Sequence, residues 1–370
     1  MLDEVIQLDK KYYLNTFGDR LPVCFEKGEG MKLFDDKGNT YYDFLGGIAV
    51  NALGHALKNQ LDKVVHTSSL YYIENQAKLA QKLVENTCAE KAFFANSGAE
   101  ANEGAFKLAK IYYYKKGLDK YEIITLDKSF HGRTLATVAA TGQEKYQKPY
   151  RPLTPGFKQV EPNNFKAIED AVTDKTAAIM IELIQGESGV HPMDKEYVEK
   201  LRKLCDEKDI ILIFDEVQTG MGRTGYLFAH QMYGVEPDIF TSAKALGGGI
   251  PIGAVCAGKK VASAFEPGDH GTTFGGNPFA TAAGLAVFDI FEKEHLVENA
   301  GKMGKYFKEK LTELQNKYSD KITDVRNAGL LIGIQLEDSI AKTVFNKLFE
   351  NKMLTSLCGG NTIRIAPPLI

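Results

Sequence analysis

The sequence lacks the marks of several protein classes. Its 45 Lys and Arg residues are balanced by 48 Asp and Glu residues, a net charge of −3, so no electrostatic case exists for binding nucleic acid or a membrane surface. No stretch approaches the roughly 20 apolar residues of a membrane span, and the opening MLDEVIQLDKKYY has no apolar core for a signal peptide. We therefore expect a cytoplasmic protein whose ligands are small molecules.

Cysteine and histidine are too few and too scattered for a disulfide frame or a metal site. The cysteines are odd in number and contain no C-x-x-C pair, and the seven histidines contain no H-x-x-x-H pair. We expect reduced thiols, as in the cytosol, and no metal ion. The five cysteines are Cys24, Cys88, Cys205, Cys256 and Cys358.

The length and composition of the chain are those of an ordinary globular protein. The chain has 370 residues, 44% of them hydrophobic and 25% charged, which suits two or three domains, or one large domain with a smaller partner. Strand-like apolar runs alternate with helical patterns, which predicts an α/β fold with a largely parallel sheet covered on both faces. The predicted strands lie at 92–96, 121–126, 177–183, 210–215 and 253–257, and the predicted helices include 73–88 and 194–207.

The two ends of the chain differ from its middle. Residues 1–50 carry DDKGN between two short strands, which predicts a hairpin arm that joins the smaller domain or wraps a neighbour, with a plain edge hairpin as the alternative. A long helix (about 280–317) precedes the strand-like AGLLIGIQL and TIRIAP. We predict a large domain over 51–280 and a smaller α+β domain over 281–370. The Gly- and Pro-punctuated segment 129–157 is long for a structureless loop, which favours a functional loop.

Two residues predict covalent cofactor chemistry. The run IILIF is typical of a strand buried on both faces, and Asp215 follows it at the end where parallel sheets bind ligands. Lys244 stands among small residues in TSAKALGGG, where burial would lower its pKa and leave an amine ready to form an imine. Pyridoxal phosphate needs this pair, a lysine for its aldehyde and a carboxylate for its ring nitrogen. A helix-capping aspartate and a solvated surface lysine are the plainer alternatives.

A helix start offers a candidate phosphate site. The predicted strand AFFAN feeds SGAEANEGAFKLAK, in which Ser97 and Glu100 form an S-x-x-E capping box. Free backbone N–H groups and the positive end of the helix dipole would suit a phosphate. A capped helix with nothing bound is the alternative.

Two other nucleotide motifs compete with this interpretation. Gly220, Gly222 and Gly225 match G-x-G-x-x-G and would favour an NAD-dependent oxidoreductase, but DEVQT separates them from the strand and too few residues follow for a helix. The segment GAVCAGKK nearly matches a phosphate-binding loop but lacks the Ser or Thr that would hold magnesium. A non-catalytic anion-binding protein is a third alternative.

Longer blocks of the sequence are similar to those of one enzyme family. Over nearly its whole length the chain resembles the class III pyridoxal-phosphate-dependent aminotransferases. The resemblance implies the fold type I architecture of these transferases, a large domain with a mostly parallel sheet plus a smaller α+β domain. It also implies pyridoxal 5'-phosphate as cofactor and a homodimer with the active site at the subunit interface. The similar blocks are FLGGIAVNALGH, FFANSGAEANEGAFKLAK, SFHGRTLATVAATGQEKY, IELIQGESGV, LIFDEVQTGMGRTGYLFAHQMYGVEPDIFTSAKALGGGIPIGA and HGTTFGGNP.

The resemblance implies roles for residues around the cofactor. Lys244 would bind the aldehyde covalently and Asp215 would pair with the ring nitrogen, so both would be catalytic. Phe130 would lie against the ring, with core packing as the alternative. The resemblance also implies residues that contact the phosphate or the edge of the ring, and one threonine that contacts the neighbouring subunit's cofactor. These residues are Ser97, Gly98, Ala99, Glu216, Val217, Gln218 and Thr273.

The resemblance also implies how substrates bind. Arg133 would hold the substrate α-carboxylate, because its planar guanidinium suits bidentate binding. Glu187 would pair with Arg364, and the pair would open or close with the charge on the substrate, while Thr272 would reach the neighbouring subunit's substrate region. The implied reaction converts N2-acetylornithine and 2-oxoglutarate to N-acetylglutamate 5-semialdehyde and glutamate in arginine biosynthesis. Ornithine, 4-aminobutyrate and succinyl-diaminopimelate remain alternative donors.

The chain departs from the family pattern at two places. Family members usually carry further residues after the position of His55, and a last helix after the closing PPLI. We expect both segments to belong to the natural protein, and neither touches the implied cofactor residues.

Overall fold

The computed structural model describes residues 2, 3, 6, 21–46 and 64–370, so the expectation about the segment after His55 lies outside the described residues. The strands are, in chain order, β1 (Phe25–Glu29), β2 (Lys32–Asp35), β3 (Thr40–Asp43), β4 (Ala89–Ala95), β5 (Glu122–Leu126), β6 (Phe157–Val160), β7 (Thr176–Ile181), β8 (Ile184–Gln185), β9 (His191–Pro192), β10 (Ile211–Asp215), β11 (Ile239–Ser242), β12 (Gly253–Gly258), β13 (Ile322–Ala328), β14 (Leu331–Leu336), β15 (Met353–Leu354), β16 (Ser356–Cys358) and β17 (Thr362–Ile365). The α-helices are α1 (Glu74–Glu85), α2 (Gly98–Lys115), α3 (Leu135–Ala140), α4 (Glu144–Gln147), α5 (Phe165–Ala171), α6 (Lys195–Glu207), α7 (Ala229–Tyr233), α8 (Pro278–Glu294), α9 (Leu296–Lys317) and α10 (Asp338–Glu350). Short 3-10 turns lie at Lys148–Tyr150 and Lys244–Gly247.

A seven-stranded sheet forms the centre of the fold. Its strand order is β4-β12-β11-β10-β7-β5-β6, and β12 alone runs antiparallel to its neighbours among these described strands. Strands β7 and β10 are buried along their whole length, as their apolar sequences TAAIMI and ILIFD require. The expected α/β fold with a largely parallel sheet is confirmed.

Helices cover both faces of this sheet. Ile211 and Ile213 of β10 pack in the layer that contains α2, whereas Leu212 and Phe214 pack in the opposite layer with α1, α6 and α8. Successive side chains of a strand point to opposite faces, so one buried strand supplies both cores.

The N-terminal hairpin and the C-terminal part of the chain form smaller sheets. Strands β2 and β3 pair antiparallel around DDKGN, which confirms the predicted hairpin, and β3 also pairs with β15. The strand-like AGLLIGIQL and TIRIAP supply β14 and β17 of an antiparallel sheet in the order β13-β14-β17-β16. The domain boundaries near residues 50 and 280 stay predictions.

The predicted single helix over 280–317 is wrong. It is two helices, α8 and α9, that meet at His295, whose φ of +51° and ψ of +44° lie in the left-handed region. The His295 amide closes α8 by donating to the Phe291 carbonyl. No glycine or proline marks this break, and the apolar pattern continues through it.

No helix in the described part of the chain is long and apolar enough to cross a membrane.

In the two segments that match nucleotide motifs, the glycines allow close backbone packing or belong to a paired strand. A Cβ at Gly225 would lie 2.8 Å from the Cα of Gly301 in α9, so the glycine permits close contact between backbones. The helix that follows, α7, has only five residues. The segment that nearly matches a phosphate-binding loop forms strand β12. Neither segment therefore has the strand, loop and helix arrangement that its nucleotide motif requires.

The left-handed residue between α8 and α9 generates a stability prediction. Glycine adopts this conformation without steric cost, so we expect His295→Gly to unfold with a free energy about 1 kcal/mol higher than His295→Ala. Urea denaturation of the two variants measures the difference, and the alanine variant controls for loss of the imidazole. Equal stabilities would mean that the backbone at this position carries no strain.

Candidate active site

A cavity of about 600 Å³ lies at the carboxyl ends of the parallel strands. This is the edge at which open α/β sheets bind ligands, and the volume is typical of a small-molecule site. The cavity brings together the start of α2, the segment before α3 and the loops after β7, β10 and β11. The sequence-predicted residues that line it are Ser97, Gly98, Ala99, Phe130, Arg133, Glu187, Asp215, Val217, Gln218 and Lys244.

Asp215 is held by two neighbours at the end of β10. It is 4% exposed, Asn102 Nδ2 donates to its Oδ2 at 2.8 Å, and His131 Nδ1 lies 2.8 Å from the same oxygen. Asn102 also donates to the His131 carbonyl at 2.7 Å and accepts from Thr241 Oγ1 at 2.7 Å. Burial disfavours protonation of His131, but the hydrogen bond with Asp215 outweighs it and raises the pKa of the imidazole. The carboxylate therefore has a fixed orientation toward the cavity.

Glu182 adds a second buried carboxyl group to the lining of the cavity. It is 6% exposed and accepts from the Phe130 amide at 2.6 Å and from the Gly186 amide at 3.3 Å. Burial raises the pKa of Glu182 to about 7, and the charge of Asp215 contributes in the same direction. This carboxyl group can therefore take up or release a proton near neutral pH.

Lys244 enters the cavity from a strained piece of backbone. It opens a 3-10 turn after β11 with a φ of +46°, a value that residues other than glycine seldom adopt and that is often found at functional sites. Burial, together with repulsion from the Arg364 guanidinium, lowers the pKa of Lys244 to about 8. A substantial fraction of the amine is consequently neutral, and so nucleophilic, near physiological pH.

The start of α2 borders the cavity with backbone amides. Ser97 Oγ accepts from the Glu100 amide at 3.2 Å, but the Glu100 carboxylate reaches the Asn96 amide at 2.8 Å, so one arm of the predicted capping box is replaced. The first amides of a helix have no acceptor within it. A Cβ at Gly98 would lie 2.7 Å from Val217 Cγ1, so glycine is needed for the close approach of these two walls.

Arg133 lies over two aromatic rings at the mouth of the cavity. Its guanidinium carbon is 4.0 Å from the ring centroid of Tyr146 and 5.4 Å from that of Phe130. The two rings meet edge to face at 5.7 Å. Within the described residues the guanidinium has no carboxylate partner. Arg133 is thus oriented by stacking while its hydrogen-bond donors stay available for an anionic ligand.

Glu187 and Arg364 form an ion pair beside the cavity. Glu187 Oε2 lies 3.5 Å from Arg364 Nη1, and Glu187 Oε1 accepts from Tyr146 at 3.1 Å. The guanidinium is 2% exposed and also donates to the Gly186 carbonyl at 3.0 Å. The sequence resemblance implies such a pair, and its role as a switch stays a prediction.

Besides Arg364, three sequence-predicted residues do not line the cavity. The side chain of Glu216 turns to the opposite face of β10 and pairs with His230, so the structure does not bring it near the expected cofactor. Thr272 Oγ1 accepts from Asn96 Nδ2 at 3.3 Å, at the edge of the lining, and Thr273 is exposed. The roles expected of both threonines concern a neighbouring subunit and stay predictions.

Sequence reasoning missed three polar residues of the site. Asn102 and Glu182 have usable signals. Asn102 is an amide on the apolar face of α2, and Glu182 is a carboxyl group next to the wholly buried β7. His131 has no signal beyond its place beside Phe130. Among the residues described, no three His, Cys, Asp or Glu side chains are arranged to hold a metal ion.

The environment of Lys244 generates a pH prediction. Because its pKa is lowered to about 8, the amine is neutral above that pH, whereas surface lysines become neutral only near pH 10.4. We expect the rate at which acetic anhydride acetylates Lys244 in cofactor-free protein to level out between about pH 8 and 9, while exposed lysines in the same digest react faster up to about pH 10. Peptide mass spectrometry measures both. A Lys244 rate that rises in parallel with those lysines would contradict the prediction.

Comparison with known proteins shows to which family the chain is similar. Residues 13–370 match the family model described as aminotransferase class-III. The acetylornithine aminotransferase of Methanocaldococcus jannaschii is 51% identical over 99% of this chain and 93% of that protein, and that of Caldanaerobacter subterraneus subsp. tengcongensis is 48% identical over 99% and 94%.

Solved structures agree with the sequence matches. The ornithine aminotransferase of Toxoplasma gondii superposes with a TM-score of 0.95 at 30% identity, covering 100% of this chain and 90% of that one. The acetylornithine aminotransferase of Elizabethkingia anophelis gives a TM-score of 0.87 at 34% identity, covering 100% and 94%. The chain therefore belongs to the class-III aminotransferases.

Proposed function

We propose that this protein transfers the terminal amino group of N2-acetylornithine to 2-oxoglutarate. The products would be N-acetylglutamate 5-semialdehyde and glutamate, in arginine biosynthesis. The relatives that support this donor are named acetylornithine aminotransferase and are 51% and 48% identical over nearly their full lengths. A cytoplasmic location, and the division into an arm, a large domain and a small domain, are part of the same proposal.

One observation carries the proposal: two arginines beside the cavity differ in their pairing. Arg133 has no carboxylate partner within the described residues, whereas Arg364 lies 3.5 Å from Glu187. Arg133 can bind the α-carboxylate of acetylornithine as soon as the substrate enters. The Glu187–Arg364 pair can stay closed beside an uncharged part of a substrate and open for a second carboxylate, as glutamate and 2-oxoglutarate require.

The cavity fits the cofactor of the family. Class-III aminotransferases use pyridoxal 5'-phosphate. When bound, this cofactor supplies an aldehyde that accepts an amino group and a ring that withdraws electrons. Lys244 would hold the aldehyde, Asp215 the ring nitrogen, and the amides at Gly98 and Ala99 the phosphate, with Phe130 against the ring. Val217 and Gln218 border the same space.

The chain's own groups can also move the protons of a transamination. Lys244 has a pKa of about 8, so its amine can accept and return a proton at the substrate carbon near neutral pH. The Asp215 carboxylate, oriented by Asn102 and His131, places negative charge where a cationic ring would lie. We propose Lys244 as the acid and base, and Asp215 as the electrostatic partner.

Ornithine is the second candidate donor. The structural likeness to the Toxoplasma gondii ornithine aminotransferase, at a TM-score of 0.95, favours it, although the identity is 30%. The two donors differ in the acetyl group, which removes a positive charge from the α-nitrogen. A direct comparison of their rates separates the two candidates.

A half-reaction assay tests the proposed function. The purified enzyme is mixed with acetylornithine, ornithine or 4-aminobutyrate, and the change in coenzyme absorbance is followed. We expect acetylornithine to react at least about tenfold faster than the others, a difference of about 1.4 kcal/mol in transition-state binding. Faster reaction with ornithine would select the alternative, and no change with any donor would refute the aminotransferase proposal.

Two variants assign the roles in the same assay. Lys244→Ala should give no turnover. Arg133→Lys keeps the charge but loses the planar fork, so KM for acetylornithine should rise about tenfold while the cofactor spectrum stays that of the wild type. An equal loss of cofactor binding would move Arg133 from the substrate to the cofactor.

We also propose that the protein acts as a homodimer. Apolar side chains that are mostly solvent-exposed in a single chain lie along residues 64–72 and at Phe274, including Leu70 at 88% and Tyr71 at 68%. The two parts touch, since the rings of His66 and Phe274 lie 5.1 Å apart. Exposed apolar surface of this kind marks interaction sites, and Thr273 lies within it.

A charged residue within this surface should weaken the dimer. We expect Tyr72→Asp to sediment as a monomer at concentrations where the wild type is dimeric, because the carboxylate would be buried in the interface. Tyr114→Asp, on an exposed part of α2 outside the surface, is the matched control. A monomeric wild type, or equal behaviour of the two variants, would rule out this interface.

A further inference from the structure

A cysteine, a histidine and a glutamate lie in a row on the face of β10 opposite to the candidate active site. Cys88 Sγ lies 3.8 Å from His230 Nε2, and His230 Nδ1 lies 2.7 Å from Glu216 Oε1. The order is that of a nucleophile, a histidine beside it and a carboxylate that orients the histidine. None of the three lines the candidate active site.

The histidine is held so that one nitrogen faces the sulfur. Glu216 is fully buried, and its carboxylate also accepts backbone N–H groups at the start of α7, including that of His230 at 2.9 Å. The imidazole, 3% exposed, lies next to the rings of Phe228 and Phe240, with centroids at 5.9 and 5.2 Å. The carboxylate and the rings thus fix both the position and the direction of Nε2.

His230 is protonated at neutral pH. Burial disfavours its protonation, but hydrogen bonds with Cys88 and Glu216 outweigh burial and raise the pKa of His230 to about 9. At neutral pH the imidazole is therefore a cation, and its Nε2–H faces the Cys88 sulfur at 3.8 Å.

Cys88 differs from the buried cysteines of the chain. Burial raises the pKa of Cys205 to about 12, and it also raises the pKa of Cys256 and Cys358. Cys88 is partly exposed and, with His230, lines a cavity of about 370 Å³ between the end of α1 and α7. A small molecule can therefore reach this sulfur.

We propose that Cys88 is a reactive thiol that exchanges with low-molecular-weight disulfides, with the His230 imidazolium as the cation that stabilises its thiolate. The thiol loses its proton to solvent, and the Sγ thiolate, which faces Nε2–H, attacks one sulfur of the disulfide. The S–S bond of the reagent breaks as the new Sγ–S bond forms, and the leaving sulfur departs as a thiolate that takes a proton from solvent. Cys88 is oxidised to a mixed disulfide, half of the reagent is reduced to a thiol, and a second thiol reverses the step.

Thiolation of the holoenzyme by 2-hydroxyethyl disulfide tests the proposal. This reagent carries no charge, so the charged side chains around the cavity do not bias its entry. Mass spectrometry of the digest follows Cys88 and, as an internal reference, the partly exposed Cys24 at pH 7. We expect Cys88 to react at least about tenfold faster than Cys24 and than the same cysteine in urea-unfolded protein, because an ordinary thiol is only a few per cent thiolate at this pH.

Variants separate activation by the histidine from simple exposure. His230→Gln should slow the reaction of Cys88 about tenfold and leave Cys24 unchanged, while Cys88→Ser should lose the label and keep its aminotransferase activity. A native Cys88 rate no higher than that of the unfolded chain would overturn the proposal, even if His230→Gln failed to fold. An unchanged rate in a folded His230→Gln would overturn it as well.

Discussion

The buried carboxylate of Asp215 is the constraint on which the site depends. A negative charge at the end of a wholly buried strand is costly unless donors surround it, and Asn102 and His131 supply two at 2.8 Å. Asn102 belongs to α2, the helix whose first amides border the same cavity. One helix therefore sets the distance between the carboxylate and the amides, and its position against β10 determines the geometry of the site.

The charged groups of the cavity shift one another's pKa values. Burial moves the pKa of Glu182 up to about 7 and the pKa of Lys244 down to about 8, so an acid and an amine that normally titrate far apart both exchange protons near neutral pH. Arg364 lowers the pKa of the lysine further, while its own charge is balanced by Glu187. Such pairs of shifted groups are a property of catalytic sites, where proton transfer has to match the working pH.

Much of the architecture follows from local sequence. Apolar runs bounded by turn residues predict the central strands, and the small residues around Lys244 predict its partial burial. Both signals lie within a few residues of the feature that they predict. The break at His295 is not visible in this way, since tertiary packing imposes a left-handed residue on an uninterrupted apolar pattern. The partnership of Asn102 with Asp215, and the turn of Glu216 away from the cavity, depend on how distant elements dock.

Successive side chains at the end of β10 point to opposite faces of the sheet, so the adjacent carboxylates Asp215 and Glu216 lie in two different environments. Asp215 faces α2 and the cavity, and Glu216 faces α7 and the Cys88–His230 pair. A shift of this strand by one residue would exchange the two faces. Insertion or deletion of a single amino acid within ILIFDE would thus abolish both constellations together, whereas a point substitution can alter one and spare the other. The length of this stretch is therefore a tighter constraint on the structure than the identity of any one of its residues.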